Sequence, residues 1–163
     1  MKDLILQTAK ILLLFLLAAL LAGILRGSRK QVDFSILEGA VQGAEDLSGM
    51  ERGDAQLLRR LYGLNGGELK NWLLYTAKDS MAVEELLLVE CISAEQAEQV
   101  SQAAQKRVEA QKNNFAGYAP EQEQLLADSL IQEEGVYVLF TVSEQAGQVK
   151  DAFLKELYPG FRR

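Results

Sequence analysis

Val83 to Ile92 reads VEELLLVECI, and residues 93–108 continue it as SAEQAEQVSQAAQKRV. Leu86 to Val89 are apolar on both alternating faces, the pattern of a central strand. Ser93 followed by Gln96 is a capping-box pair. It predicts a long helix to about Asn113, with Ala97, Val100, Ala104 and Val108 as a small inner stripe. A central strand feeding straight into a helix makes this a mixed domain, and the neighbouring segments extend the pattern.

Towards the N-terminus, Leu69 to Tyr75 (LKNWLLY) is an aromatic-rich strand candidate, with Lys78-Asp79-Ser80 in the loop after it. Asn65-Gly66-Gly67 is a turn cluster. Before it, Asp54 can cap a short helix over Ala55 to Leu61 that Gly63 ends. Asp46 to Gly53 reads as a break. Phe34 to Ala44 carries a helical apolar stripe, with Asp33 as its N-cap. Towards the C-terminus, Pro120 fits the first turn of a helix to about Asp128. Leu130-Ile131 is a short strand, and Glu134-Gly135 turns the chain into Val136 to Val142 (VYVLFTV), the strongest strand signal present. Ser143 is placed to cap a last helix to about Leu157.

Glu-Gln-Ala-x-Gln-Val occurs twice, at residues 95–100 and 144–149, each time after a strand and a Ser. The expected class is α+β. Two short helices precede a strand–strand–helix unit that reads as duplicated, and its two hairpins form a four-stranded antiparallel sheet packed by helices.

The first 30 residues differ from the rest. Ile11 to Leu25 is an unbroken apolar run, and counting back to Leu4 gives 22 residues interrupted only by Lys10 among charges. As a helix this would span roughly 33 Å, the thickness of a bilayer core. The expectation is an N-terminal transmembrane helix over residues 4–25, hence a membrane anchor in 1–30 and a globular domain in 31–163. No pair of small residues stands at signal-peptidase spacing near its exit. Leu21-Ala22-Gly23 matches the start of a lipoprotein box, but Ile24 replaces the required Cys, so the anchor reads as uncleaved. A positive-inside count favours a cytoplasmic domain by about one charge, a margin that long domains override. Charge alone leaves the orientation open.

Residues 1–30 hold five Lys/Arg and one Asp, leaving twelve Lys/Arg and 22 Asp/Glu for residues 31–163. A domain of net charge −10 is a poor nucleic-acid binder, because phosphate contacts need cations. The chain has no histidine, which removes His-based triads and zinc-finger sites. Its single cysteine, Cys91, forbids an internal disulfide and, with no His as base, reads as a core residue. Glu84, Glu85 and Glu90 cluster around one strand, with Glu133 and Glu134 near if the hairpins pair. Paired carboxylates suit acid–base or hard-cation chemistry, but with 22 acids in the domain such neighbours are expected, and the spacing matches no metal loop. Lys78 and Ser80 read as solvated loop residues, and Arg52-Gly53-Asp54 as a chance tripeptide.

Apolar Leu86–Val89, Lys106 to Phe115 (KRVEAQKNNF), Tyr118-Ala119-Pro120, Gly135-Val136-Tyr137 and Ser143-Glu144 lie within a stretch from about Glu84 to Leu157. That stretch resembles the domain of unknown function 4358, a family of small bacterial proteins from Firmicutes. The resemblance implies an exported lipoprotein or single-anchor protein with an extracytoplasmic domain. It transfers no site residues.

The expected protein is a membrane-anchored extracytoplasmic module that binds a protein or envelope component, catalyses nothing and carries no cofactor or metal. A carboxylate-dependent envelope enzyme and a membrane-tethered cytoplasmic adaptor are the alternatives. Trp72 and Tyr118 are the aromatics expected at the rim of a groove.

Overall fold

The computed structural model describes residues 32–117 and 119–160, together with Lys10, Leu13, Leu14, Leu16 and Leu17. The chain divides into two units, Met1–Gln31 and Val32–Arg163. Among the described residues no helix is long and apolar enough to cross a membrane. The expected transmembrane helix is therefore not part of the described architecture. A crossing takes about 20 consecutive helical residues, and only five separate positions of residues 4–25 are described. The remainder of that stretch lies outside the described residues.

The second unit opens with α1 (Phe34–Ala44), whose N-cap Asp33 accepts from the Ser35 amide at 2.9 Å. β1 (Met50–Arg52) leads into α2 (Ala55–Tyr62). Asp54 caps α2 by accepting from the Leu57 amide at 2.8 Å, and Gly63 closes it in the left-handed region. A 3-10 turn (Gly66–Glu68) precedes the hairpin of β2 (Asn71–Ala77) and β3 (Glu85–Glu90). Then come α3 (Ala94–Phe115), α4 (Pro120–Ala127), the hairpin of β4 (Leu130–Glu134) and β5 (Tyr137–Val142), and α5 (Ala146–Leu157).

The sheet has five strands in the order β1-β2-β3-β5-β4, every neighbour antiparallel. This corrects the four-stranded expectation. The added edge strand lies inside the supposed break at Asp46–Gly53. It is three residues long with only Met50 buried, so it has too little alternation to be read locally. Its pairing with β2 (Met50 opposite Ala77) is what makes it a strand.

β3 and β5 are buried along their whole length, and their alternate side chains supply two separate cores. Leu87, Val89, Val138, Phe140 and Val142 face one way, beneath Leu58 and Tyr62 of α2, Leu126 of α4 and the small stripe of α3. Leu86, Leu88 and Leu139 face the other way, beneath Leu37 and Val41 of α1 and Val149, Phe153 and Leu154 of α5. A central strand apolar on both faces needs cover on both, since each exposed leucine forgoes about 2 kcal/mol of burial.

This arrangement also corrects the duplication. The two strand–strand–helix units share one sheet, but α3 covers one face and α5 the opposite one. A two-fold axis through the β3–β5 seam would put both helices on the same face. The repeated letters reflect shared local use instead: Ala97 and Val100 in α3, and Ala146 and Val149 in α5, are the inward positions of a helical turn. Ser93 accepts from the Gln96 amide at 3.2 Å as expected, and Gln96 reaches back to the Ile92 amide at 2.9 Å. Ser143 is not the N-cap of α5, which begins only at Ala146, although its hydroxyl accepts from the Gln145 amide at 3.2 Å. Its hydroxyl is drawn into a long-range contact described next.

Candidate functional site

The carboxylates grouped by sequence do not form one site. Glu85 and Glu90 stand at opposite ends of β3, about 17 Å apart at strand rise, and odd–even alternation puts them on opposite faces. Glu85 is 2 % exposed beneath α2 and α3. Arg107 of α3 holds it with a fork, Nη2 to Oε2 at 2.8 Å and Nε to Oε2 at 3.1 Å. The Tyr62 hydroxyl donates to its other oxygen. Burial, then the Glu85 charge, pushes the Tyr62 phenol well above its ordinary value, so it remains a proton donor. At the other end, Glu90 accepts from Lys70 Nζ at 2.6 Å and Asn71 Nδ2 at 2.7 Å. Glu133 accepts from Ser101 at 2.7 Å. Each of these carboxylates is engaged in holding elements together. Among the described residues no three His, Cys, Asp or Glu side chains converge closely enough to hold a metal ion.

A third buried carboxylate, Glu45, carried no signal in the sequence. It follows α1 and accepts from the Ser143 hydroxyl at 2.8 Å, the Thr141 hydroxyl at 3.1 Å and the Asp46 amide at 3.2 Å. The contact pins the end of α1 to the end of β5, across 98 residues of chain in the Ser143 pair. Burial raises the carboxyl above its ordinary 4.5, and the three donors oppose that rise without cancelling it. The folded state therefore holds this proton more tightly than the unfolded chain does. Its contribution to stability is fully present below about 4.5 and is lost as pH rises through the raised value. Glu45→Gln keeps an acceptor for the hydroxyls and removes the charge. Its stability in urea at pH 7 should equal or exceed that of the parent, and the difference should shrink as the pH falls towards 4.5. A variant weaker at pH 7 than at pH 4.5, relative to the parent, would contradict the assignment.

Glu45 opens into a cleft of about 310 Å³ at this end of the sheet, where Asp46, Asp79, Glu84 and Glu144 also converge. A neighbouring cleft of about 770 Å³ shares Glu84, Ser143 and Glu144 and adds Glu121 and Asp128. Much of this acidity is used in the turns: Asp46 accepts from the Ser48 amide and Asp79 from the Met81 amide. The opposite sign gathers elsewhere. Between α2 and α3 runs a groove of about 650 Å³ whose lining includes Arg60, Lys106 and Arg107 over Leu61, Leu64 and Ala103.

The remaining candidates resolve individually. Trp72 is half-buried in β2 and packs against the first core. Its indole closes on Gly66, where an added Cβ would stand 2.8 Å from Nε1. Its ring thus seals the 3-10 turn and lines none of the three clefts. Tyr118 lies outside the described residues. Cys91 is 2 % exposed, and burial, with the charges of Glu133 and Glu90, pushes its thiol up to about 12, far from a thiolate nucleophile. Ser80 is exposed and Lys78 is tied to the Ser48 carbonyl at 3.0 Å, so no Ser–Lys pair is assembled. Arg52 pairs with Glu38 and Asp54 caps α2, which accounts for that tripeptide structurally.

Fold and surface together define the class: a small antiparallel α+β domain, helix-covered on both faces, whose buried carboxylates brace the structure and whose open clefts are charged. The chain belongs to the DUF4358 family. The family's sequence model, Domain of unknown function (DUF4358), matches residues 43–143, more than half of the chain. The match runs from the end of α1 to Ser143, so it takes in β1 and α2 and stops before α5. No curated protein and no solved structure matches the chain.

Proposed function

We propose that this protein is a non-catalytic binding module held at the cell membrane by its N-terminal apolar segment, with the α+β domain outside the cytoplasm. One observation carries the binding reading. The buried carboxylates Glu85 and Glu90 are held by structural partners, and the open concave surfaces are charged clefts. Recognition needs only such a shaped, charged surface. The location rests on the apolar run Ile11–Leu25 and on the resemblance to exported relatives.

Protease treatment of intact protoplasts carrying a C-terminally tagged chain, with a lysed control, tests the location. Loss of the tag in intact cells is the expected result, and protection until lysis would overturn it. Glu84→Gln and Glu90→Gln test the chemistry. A binding module keeps its partner when they are introduced, whereas an enzyme working through these carboxylates would lose its turnover.

A further inference from the structure

We infer that the groove between α2 and α3 is the docking site for an acidic, amphipathic peptide segment of a partner protein. The inference rests on the binding-module reading and names the chemistry of its partner. In this groove the domain reverses its sign. Residues 31–163 carry 22 Asp/Glu against twelve Lys/Arg, yet the lining of this groove holds three cations and no carboxylate. Arg60 and Lys106 stand exposed on its two walls, and among the described residues neither forms an ion pair. Left open on facing walls, they supply the attraction for a carboxylate-bearing occupant.

The floor states the rest of the occupant's chemistry. Leu61, Leu64 and Ala103 are half-buried between the cations, so the occupant must bring apolar side chains as well as charge. The walls are set in advance. Tyr62 of α2 and Arg107 of α3 both bind Glu85 of β3, which fixes the spacing of the two helices and lowers the ordering cost of docking. An apolar strip flanked by cations fits an acidic helix lying in a groove, read through side chains at i, i+3 and i+4.

As an occupant, the chain's own residues 1–30 have the wrong sign, being net positive.

The test selects random peptides of about twelve residues, roughly three helical turns, against the full-length chain in neutral detergent micelles. Enrichment of acidic sequences with apolar residues at helical spacing is expected. A synthetic copy of the winning peptide should lose at least about tenfold in affinity to the Arg60→Glu, Lys106→Glu double variant, as lost charge complementarity predicts. Ala103→Trp, which fills the floor without changing charge, should weaken binding comparably, with the thermal melt of both variants near the parent's. Three outcomes would overturn the inference: no acidic bias among the winners, binding unaffected by both variants, or binding of phosphatidylglycerol vesicles in place of the peptide through Arg60 and Lys106. Peptides that bind but lose affinity only when Glu84 and Glu144 are neutralised would overturn this site and leave the binding-module reading standing.

Discussion

Arg107→Met should destabilise the domain by about 3–5 kcal/mol, the usual consequence of stripping the partner from a buried ion. Glu85 is 3 % exposed at its side chain and Arg107 is 16 % exposed, so water cannot take the place of the guanidinium. The Tyr62 hydroxyl remains, but a neutral donor offsets only part of the charge. Urea unfolding at pH 7 should show the deficit. The double variant Glu85→Leu, Arg107→Met removes both charges and should recover most of the loss, since apolar replacement of a buried pair is often neutral. A single variant within about 1 kcal/mol of the parent at pH 7, the range of a surface pair, would show the pair to be solvated. Lys70 provides the contrast. Its ammonium side chain is 46 % exposed, so losing Glu90's partner opens that carboxylate to water rather than sealing it.

The second large effect is expected on the opposite face. Phe153 is fully buried in α5, in the cluster that includes Leu37 and Val41 of α1. Phe153→Ala should remove about 3–5 kcal/mol, the range for truncating a core aromatic. The loss should not be confined to α5. The principal packing of α1 is against α5, so the ring supports α1 from beneath. Hydrogen exchange on the variant should show faster exchange in both helices, while α3, on the other face, keeps more of its protection. Equal loosening of α1, α3 and α5 would mean that the two cores open as one unit. The Glu45 contact with Ser143 and Thr141 is the other tie between α1 and the sheet. Adding Glu45→Ala, which removes the acceptor, to Phe153→Ala therefore tests coupling between the two ties; a non-additive loss is expected, because the sites share α1.

The elements whose causes are local were legible in the sequence. Asp33, Asp54, Ser93 and Pro120 begin helices because each supplies a cap or a suitable first residue within a few positions of the chain. β3 and β5 were visible because their apolar runs are long enough to exclude other readings. Two parts misled. Ser143 looks like a helix cap beside Glu144, but its hydroxyl accepts from the Gln145 amide, one residue before α5, and donates to Glu45, far away in sequence. Glu84, Glu85 and Glu90 look like a cluster because they are close in the chain, and the strand's alternation separates them. The pairing of Glu85 with Arg107 had no sequence signal at all. Both residues are ordinary members of charged segments until β3 and α3 are packed together.

By itself the sequence determined the α+β class, the helix starts, the two central strands and the absence of any histidine chemistry. These depend on composition and on interactions spanning a turn or a few strand residues. Only the tertiary structure decided the fifth strand, the covering of each sheet face by different helices, the fate of the three buried glutamates and the cationic groove. Those features depend on which elements meet. Their partners lie from 22 to 98 residues apart in the pairs of Arg107 with Glu85 and Ser143 with Glu45, a separation at which local periodicity carries no information and packing of the shared sheet selects the contact.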